Sequence, residues 1–327
     1  MKHRTLGRTA MRVPEIGFGC GNVGGLMIRG SHEEQVEAVR YAVSLGINYF
    51  DTAAAYGDGQ SETNLGDVLM ELRPAVFVAT KFRVLPEDLD DIAGAIRRSL
   101  EGSLTRLRRG MVDVFQLHTN LLTADEPGIG AAEVLAPGGV ADTLDQLRDE
   151  GLILHRGFTG MGDTDAIHAV IGSRRFDTVQ SYYNLLNPTA GLPMRPGYPN
   201  QDYRRLIDAA AGASMGVIGI RALAGGAVSG PERAGLASKM PGGVMATGND
   251  YESDLRRAEA LSFLANDHRT AAQASIRFVL DHAAVSTSLV GFSSKEQIDA
   301  AVAASEMPRL DADDRERIRE LWASDFS

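Results

Sequence analysis

The strongest constraint on this chain is an alternation repeated eight times: a short apolar run ends at a glycine or polar residue, and a segment with helical spacing follows. The runs cover residues 15–19, 47–51, 76–80, 112–118, 152–159, 178–181, 216–221 and 288–290. They are mostly apolar on both faces, as strands buried in a parallel sheet are. The first helical segment is signed at both ends. Ser31 and Glu34 form a capping-box pattern, Val36, Val39, Ala42 and Val43 repeat at helical spacing, and Gly46 follows as a stop. Residues 88–107 are predicted to form another helix, with Ile92, Ile96, Leu100, Leu104 and Leu107 on one stripe.

Eight strand–helix units in 327 residues suit a closed (β/α)8 TIM barrel, while an open doubly wound sheet is the other arrangement such alternation allows. The open sheet would be expected to carry a compact Gly-x-Gly-x-x-Gly turn between the first strand and helix. Here Gly17, Gly19, Gly21, Gly24 and Gly25 are spread over a long stretch, so the barrel is predicted. No linker or shift in composition divides the chain, and one domain is expected over residues 1–327. Residues 5–13 read as a small N-terminal hairpin able to plug the barrel's bottom end. Connections 119–139, 184–200 and 222–251 are too long for plain turns and follow strands, which places them at the C-terminal face where barrel enzymes build their sites. The first and last are rich in glycine and proline and are expected to act as a lid over the pocket.

Charge narrows the partners. With 33 basic against 43 acidic residues the net charge is −10, which argues against a nucleic-acid surface. The cluster Arg106, Arg108, Arg109 falls at an expected helix end and is read as a complement to the helix dipole. No run approaches the roughly 18 apolar residues of a membrane helix, and no apolar signal segment opens the sequence, so a cytoplasmic protein is expected. The single cysteine, Cys20, leaves no intrachain disulfide.

Four polar residues fall at or just beyond successive strand ends: Asp51, Tyr56, Lys81 and His118. In a barrel these ends point into one mouth, so the four are expected to converge. A free tyrosine titrates near 10, too high for good proton transfer at neutral pH. A nearby Lys81 ammonium would favour the phenolate, Asp51 would keep that lysine charged, and His118 would orient a substrate oxygen. Taken singly each residue has a plainer use, as a cap, a packing ring or a solvated charge; the argument lies in four matching positions.

Around these residues the sequence resembles the aldo-keto reductases. Asp51-Thr52-Ala53-Ala54-Ala55-Tyr56-Gly57, with Ser61-Glu62 and Leu65-Gly66, is similar to that family's signature, and the Lys81 and His118 segments are similar to its other catalytic stretches. Arg4-Thr5-Leu6-Gly7-Arg8-Thr9 and Ile16-Gly17-Phe18-Gly19 resemble its hairpin and first strand. The resemblance implies a catalytic set of Asp51, Tyr56, Lys81 and His118 and an NADP(H) cofactor laid across the barrel mouth. It implies cofactor contacts from Gly19, Cys20 and Asp51, and from Thr159 and Gln180 to the nicotinamide carboxamide. Arg221, Leu223 and Gly225 would cross the pyrophosphate, and Gly291, Ser293, Lys295 and Gln297, with Ser294, would meet the adenosine 2′-phosphate.

Several positions depart from the family pattern. Thr159-Gly160 stands where Ser-Asn is usual, a form similar to a sugar-dehydrogenase-like branch, and Ala300-Ala301 replaces Glu-Asn. Gly21, Thr119 and Ile220 stand where bulkier or aromatic residues are common, so the pocket is expected to be roomy, or filled by Tyr182, Tyr183 or loop residues. The implied reaction is hydride transfer between the nicotinamide and an aldehyde, ketone or aldose. A cofactor-binding regulatory subunit on the same fold is the alternative, and a lysine Schiff-base enzyme using Lys81 a more distant one. Oligomeric state is left open.

Overall fold

The computed structural model describes residues 1–123, 125–126, 128–195, 197–229, 236–237 and 250–326. An antiparallel hairpin, β1 (His3–Thr5) and β2 (Arg12–Pro14), precedes a closed barrel of eight parallel strands. These are β3 (Ile16–Gly19), β4 (Tyr49–Asp51), β5 (Phe77–Phe82), β6 (Val112–Leu117), β7 (Ile153–Gly160), β8 (Thr178–Tyr182), β9 (Gly216–Ile220) and β10 (Val285–Gly291). Each strand pairs with the next in the chain, and β10 closes on both β9 and β3. The closed barrel expected from the alternation is therefore the fold.

Side chains alternate along each strand, so one set faces the helices and the other fills the barrel. Phe50, Val78, Phe115, Phe158, Val179 and Val217 belong to the outer core beneath the helices. Tyr49, Ala79, Val114 and Ile218 point inward and pack on Leu6, Met11 and Val13 of the hairpin. Arg8 N–H donates to the Ser214 carbonyl just before β9, which fixes the hairpin at the N-terminal end as expected. Two residues further along the same inward columns come Asp51, Lys81 and Gln116. The apolar plug below thus forces the polar layer to the C-terminal mouth.

The Ser31–Glu34 capping box opens helix His32–Ser44 as predicted. The helix expected over 88–107 instead divides. A 3-10 turn covers Pro86–Asp91, and the α-helix runs Ile92–Leu107 with the Asp91 carboxylate accepting from Gly94 N–H as its cap. At its far end the arginine cluster does more than face a dipole: Arg106 pairs with buried Glu62, Arg108 with Asp67 and Arg109 with Asp113. Strand β10 is longer than the expected 288–290, because Ser286, Thr287 and Ser288 are all buried although their hydropathy hides them.

The connection after β6 is packed rather than loose. Leu121, Ile129 and Val134 are buried, and Leu121 bridges to Gly162. After β9 comes a tight turn, Ala224–Ser229, whose first five residues are buried. Most of the remaining expected lid, with Gly230, Pro231, Gly235, Pro241, Gly242, Gly243 and Gly248, lies outside the described residues, as does Pro127. Among the described residues no helix is long and apolar enough to cross a membrane.

Candidate active site

The four strand-end residues meet at the barrel mouth. Lys81 Nζ donates to Asp51 Oδ1, to the Thr52 carbonyl at 2.8 Å and to the Tyr56 hydroxyl at 3.2 Å. Its ammonium also lies 4.7 Å from the Tyr56 ring centre. The His118 ring stands edge-on to Tyr56, with centroids 5.9 Å apart and planes at 89°. Asp51, Tyr56 and His118 line a cavity of about 860 Å³, inside the range of small-molecule sites, while Lys81 sits behind Tyr56 and is 1% exposed.

Burial and charge set the ionisation of this group. Burial works to lower the Lys81 pKa, but the charges of Asp51 and Tyr56 and the hydrogen bonds to both raise it above its ordinary value. Burial pushes the Asp51 carboxyl up, and Lys81, Gln116 and Gln180 pull the other way. With every Asp51 partner a donor, the pair is held as carboxylate and ammonium. A lysine so enclosed and protonated is a poor Schiff-base nucleophile, which counts against that reading of Lys81.

His118 is held neutral: burial first, then the charges of Lys81, Arg83 and Arg221, bring its pKa from 6.5 down to about 3. Nitrogen NMR of the imidazole is expected to show a neutral ring from about pH 9 down to about pH 5. A titration midpoint near 6.5 would contradict this placement. The same depression means the unfolded chain takes up the His118 proton first, so folding stability drops as pH falls from 6.5 toward about 3.

Asp51 has a partner that sequence reasoning missed. Gln116 Nε2 donates to Asp51 Oδ2 at 3.1 Å, and Gln180 Nε2 donates to the same oxygen at 2.6 Å. Gln116 lies two residues before His118 on β6, so strand period two was the signal that could have found it. Gln180 lines the cavity, but its amide nitrogen is committed to Asp51, leaving its oxygen to meet a ligand. Thr159 Oγ1, at the cavity wall, is buried with no hydrogen-bond partner among the described residues, as a group awaiting a ligand would be.

A second cavity of about 210 Å³ adjoins the first and shares Val23, Gly24, Arg221, Leu289 and Gly291 with it. Leu223, Gly225, Ser293 and Gln297 line it, so the walls suit one extended ligand running from the mouth to the edge of the barrel. Gly225 and Gly226 have φ of 66° and 98°, the left-handed turn that glycine takes without strain. A Cβ at Gly24 would lie 2.3 Å from Phe292 N, and Ser293 Oγ donates to the Gly24 carbonyl at 2.7 Å. The glycine stretch after β3 is thereby fastened to the segment after β10, and the two form one wall.

Three expected cofactor or pocket residues are placed elsewhere. Lys295 Nζ pairs with Glu37 at 2.7 Å and lies over the Tyr41 ring, and it lines neither cavity. The cause is packing: helix Lys295–Glu306 lies beside helix His32–Ser44, which brings Glu37 to the lysine. Cys20 is buried beneath the mouth instead of lining it, and burial raises its thiol pKa. Tyr182 lines the large cavity as expected, but Tyr183 turns into the core against Phe278. Gly21 faces Tyr56, where a Cβ would sit 3.4 Å from the ring, so its lack of a side chain leaves that flank open.

Fold and mouth together describe a barrel oxidoreductase with a tyrosine held by a charged lysine. The family model for the Aldo/keto reductase family matches residues 15–323. The chain belongs to the aldo/keto reductase family of oxidoreductases. It is similar to the L-galactose dehydrogenase of Arabidopsis thaliana, 33% identical over 161 residues, an alignment that spans about half of each protein (48% and 48%). Among solved structures it resembles aldo-keto reductase AKR11C1 from Bacillus halodurans in its holo form, with a TM-score of 0.72, 23% identity and coverage of 98% and 96%. An aldo-keto reductase from Klebsiella pneumoniae in complex with NADPH gives a TM-score of 0.69 at 21% identity, covering 98% of this chain and 96% of that one.

Proposed function

We propose that this chain, as one barrel domain over residues 1–327, is an NADP(H)-dependent enzyme that interconverts a carbonyl and an alcohol, with Tyr56 as the proton donor in reduction. The observation that carries this reading is the Tyr56 hydroxyl 3.2 Å from a buried Lys81 ammonium that Asp51 keeps charged. When bound, NADPH supplies the hydride for the carbonyl carbon. The neutral His118 imidazole hydrogen-bonds the substrate oxygen, and Tyr56 delivers a proton to that oxygen as its charge builds. Lys81 stabilises the tyrosinate left behind, and Gln116 with Gln180 keeps Asp51 aimed at Lys81. Thr159 and the oxygen of Gln180 would hold the carboxamide; Arg221, Leu223 and Gly225 would pass the pyrophosphate; Gly291, Ser293 and Gln297 would flank the adenosine end.

The test is a screen of aldehydes, ketones and aldoses, following loss of reduced-nicotinamide absorbance. Turnover with none of them, alongside tight NADPH binding, would favour the regulatory-subunit reading instead. Cofactor choice is tested separately by fluorescence titration. NADPH is expected to bind about tenfold more tightly than NADH, through a charge-assisted phosphate contact. The preference sits at the low end because Lys295 must first leave Glu37, with which it forms an exposed ion pair. Equal affinities would refute a 2′-phosphate site at Ser293–Lys295.

A further inference from the structure

The charges around the large cavity run against the character of the chain. Acidic residues outnumber basic ones by 43 to 33, yet among the described residues the only carboxylate lining this cavity is Asp51, and Lys81 already neutralises it. Two arginines line it. Arg221 also lines the narrow cavity and so lies on the dinucleotide's path, whereas Arg83 lines the wide one alone. Other arginines near the barrel are taken up by carboxylates, as Arg106 is by Glu62 and Arg156 by Asp177. Among the described residues Arg83 has no ion pair or hydrogen bond, and its charge reaches the buried ring of His118.

Its position explains why it faces the mouth. Arg83 is two residues beyond Lys81 on the extension of β5, and alternation returns it to the same side of the chain. Asn120 stands in the same relation to His118 and is likewise without a side-chain partner among the described residues. Two uncommitted donors therefore overhang the proton-transfer pair from neighbouring strand ends. The same cavity wall also carries Met161 and Tyr182, which suits a flat or short apolar spacer.

We propose that Arg83 is an anion-recognising residue of the substrate pocket and that the preferred substrates carry a carboxylate at the end remote from the reacting carbonyl. This rests on the carbonyl-reducing reading above and names its substrate class. A guanidinium matches a carboxylate through two parallel hydrogen bonds, a geometry that a lysine cannot reproduce. Asn120 supplies a further donor to the same group or to a hydroxyl beside it.

The experiment compares 4-formylbenzoate with 4-methylbenzaldehyde as substrates of the NADPH-loaded chain. The carboxylate is expected to raise kcat/KM by about ten- to a hundredfold, mostly through KM. Arg83→Met should bring the ratio of the two close to one, Arg83→Lys should retain part of it, and added salt should shrink it. Calorimetric binding of 4-hydroxymethylbenzoate to the NADP+-loaded chain reads the same contact without turnover, and Arg83→Met should weaken it at least about tenfold. Equal kcat/KM for the two aldehydes in the unaltered chain, or unchanged calorimetric affinity in Arg83→Met, would overturn the proposal. If neither aldehyde is reduced, the carbonyl-reducing reading is what fails, and the calorimetric comparison still decides for or against Arg83.

Discussion

Tyr56→Phe is expected to lower turnover by about two to four orders of magnitude while dinucleotide affinity stays nearly normal. Only one oxygen is lost. The phenyl ring keeps its place beside Gly21 and edge-on to His118, so the cavity keeps its shape. What disappears is the hydroxyl that Lys81 contacts at 3.2 Å. The loss should fall on kcat and kcat/KM together, because the group acts when charge develops on the substrate oxygen. Single-turnover reduction by the variant, with cofactor affinity from fluorescence titration, separates the two effects. A variant that turns over at a near-normal rate would remove Tyr56 as the proton donor.

Lys81→Met is expected to cost stability as well as turnover. In the unaltered chain Asp51 and Lys81 are 3% and 1% exposed, and each is the other's counter-charge. Removing the cation leaves a buried carboxylate with only the two glutamine amides as partners, a change that typically costs about 3–5 kcal/mol. The cost should depend on pH in a defined direction. Without Lys81, burial raises the Asp51 pKa of the folded chain above the roughly 3.9 of an unfolded aspartate. The folded variant then binds a proton that the unfolded chain has released, so its stability rises as pH is lowered toward 5 and falls as pH is raised toward 8. Asp51→Asn in the same molecule should recover part of the stability and none of the turnover, since both buried charges are then gone. Urea unfolding of the two variants at both pH values provides the measurement. Equal stability of Lys81→Met and the unaltered chain at pH 8 would mean that the pair is not held charged.

Much of the reactive site was legible before the fold was known. Asp51, Lys81 and His118 end strands or directly follow them, and strand ends of a parallel barrel share one mouth whatever the loops do. Strand β10 was read only in part, because its serines and threonine are buried by neighbouring strands and do not look apolar. Gln116 was passed over although it shares a face with His118. Glutamine has many plainer uses, and nothing local indicates a carboxylate reached across the barrel from β4.

The sequence by itself determined the alternation, and with it the closed barrel, the apolar bottom, and the mouth where polar strand-end residues must gather. Period two within strands and capping at helix starts are local rules, so they can be read from neighbours in the chain. Only the tertiary structure decided which partner each charge takes. Lys295 was expected at a phosphate, but it meets Glu37, 258 positions away in sequence, because two helices pack side by side. Nothing local in the sequence marks Arg83, and it stands out only because the cavity it lines carries no free carboxylate among the described residues. Pairing of charges depends on distance in space and on shared burial, and neither quantity is written in the order of residues.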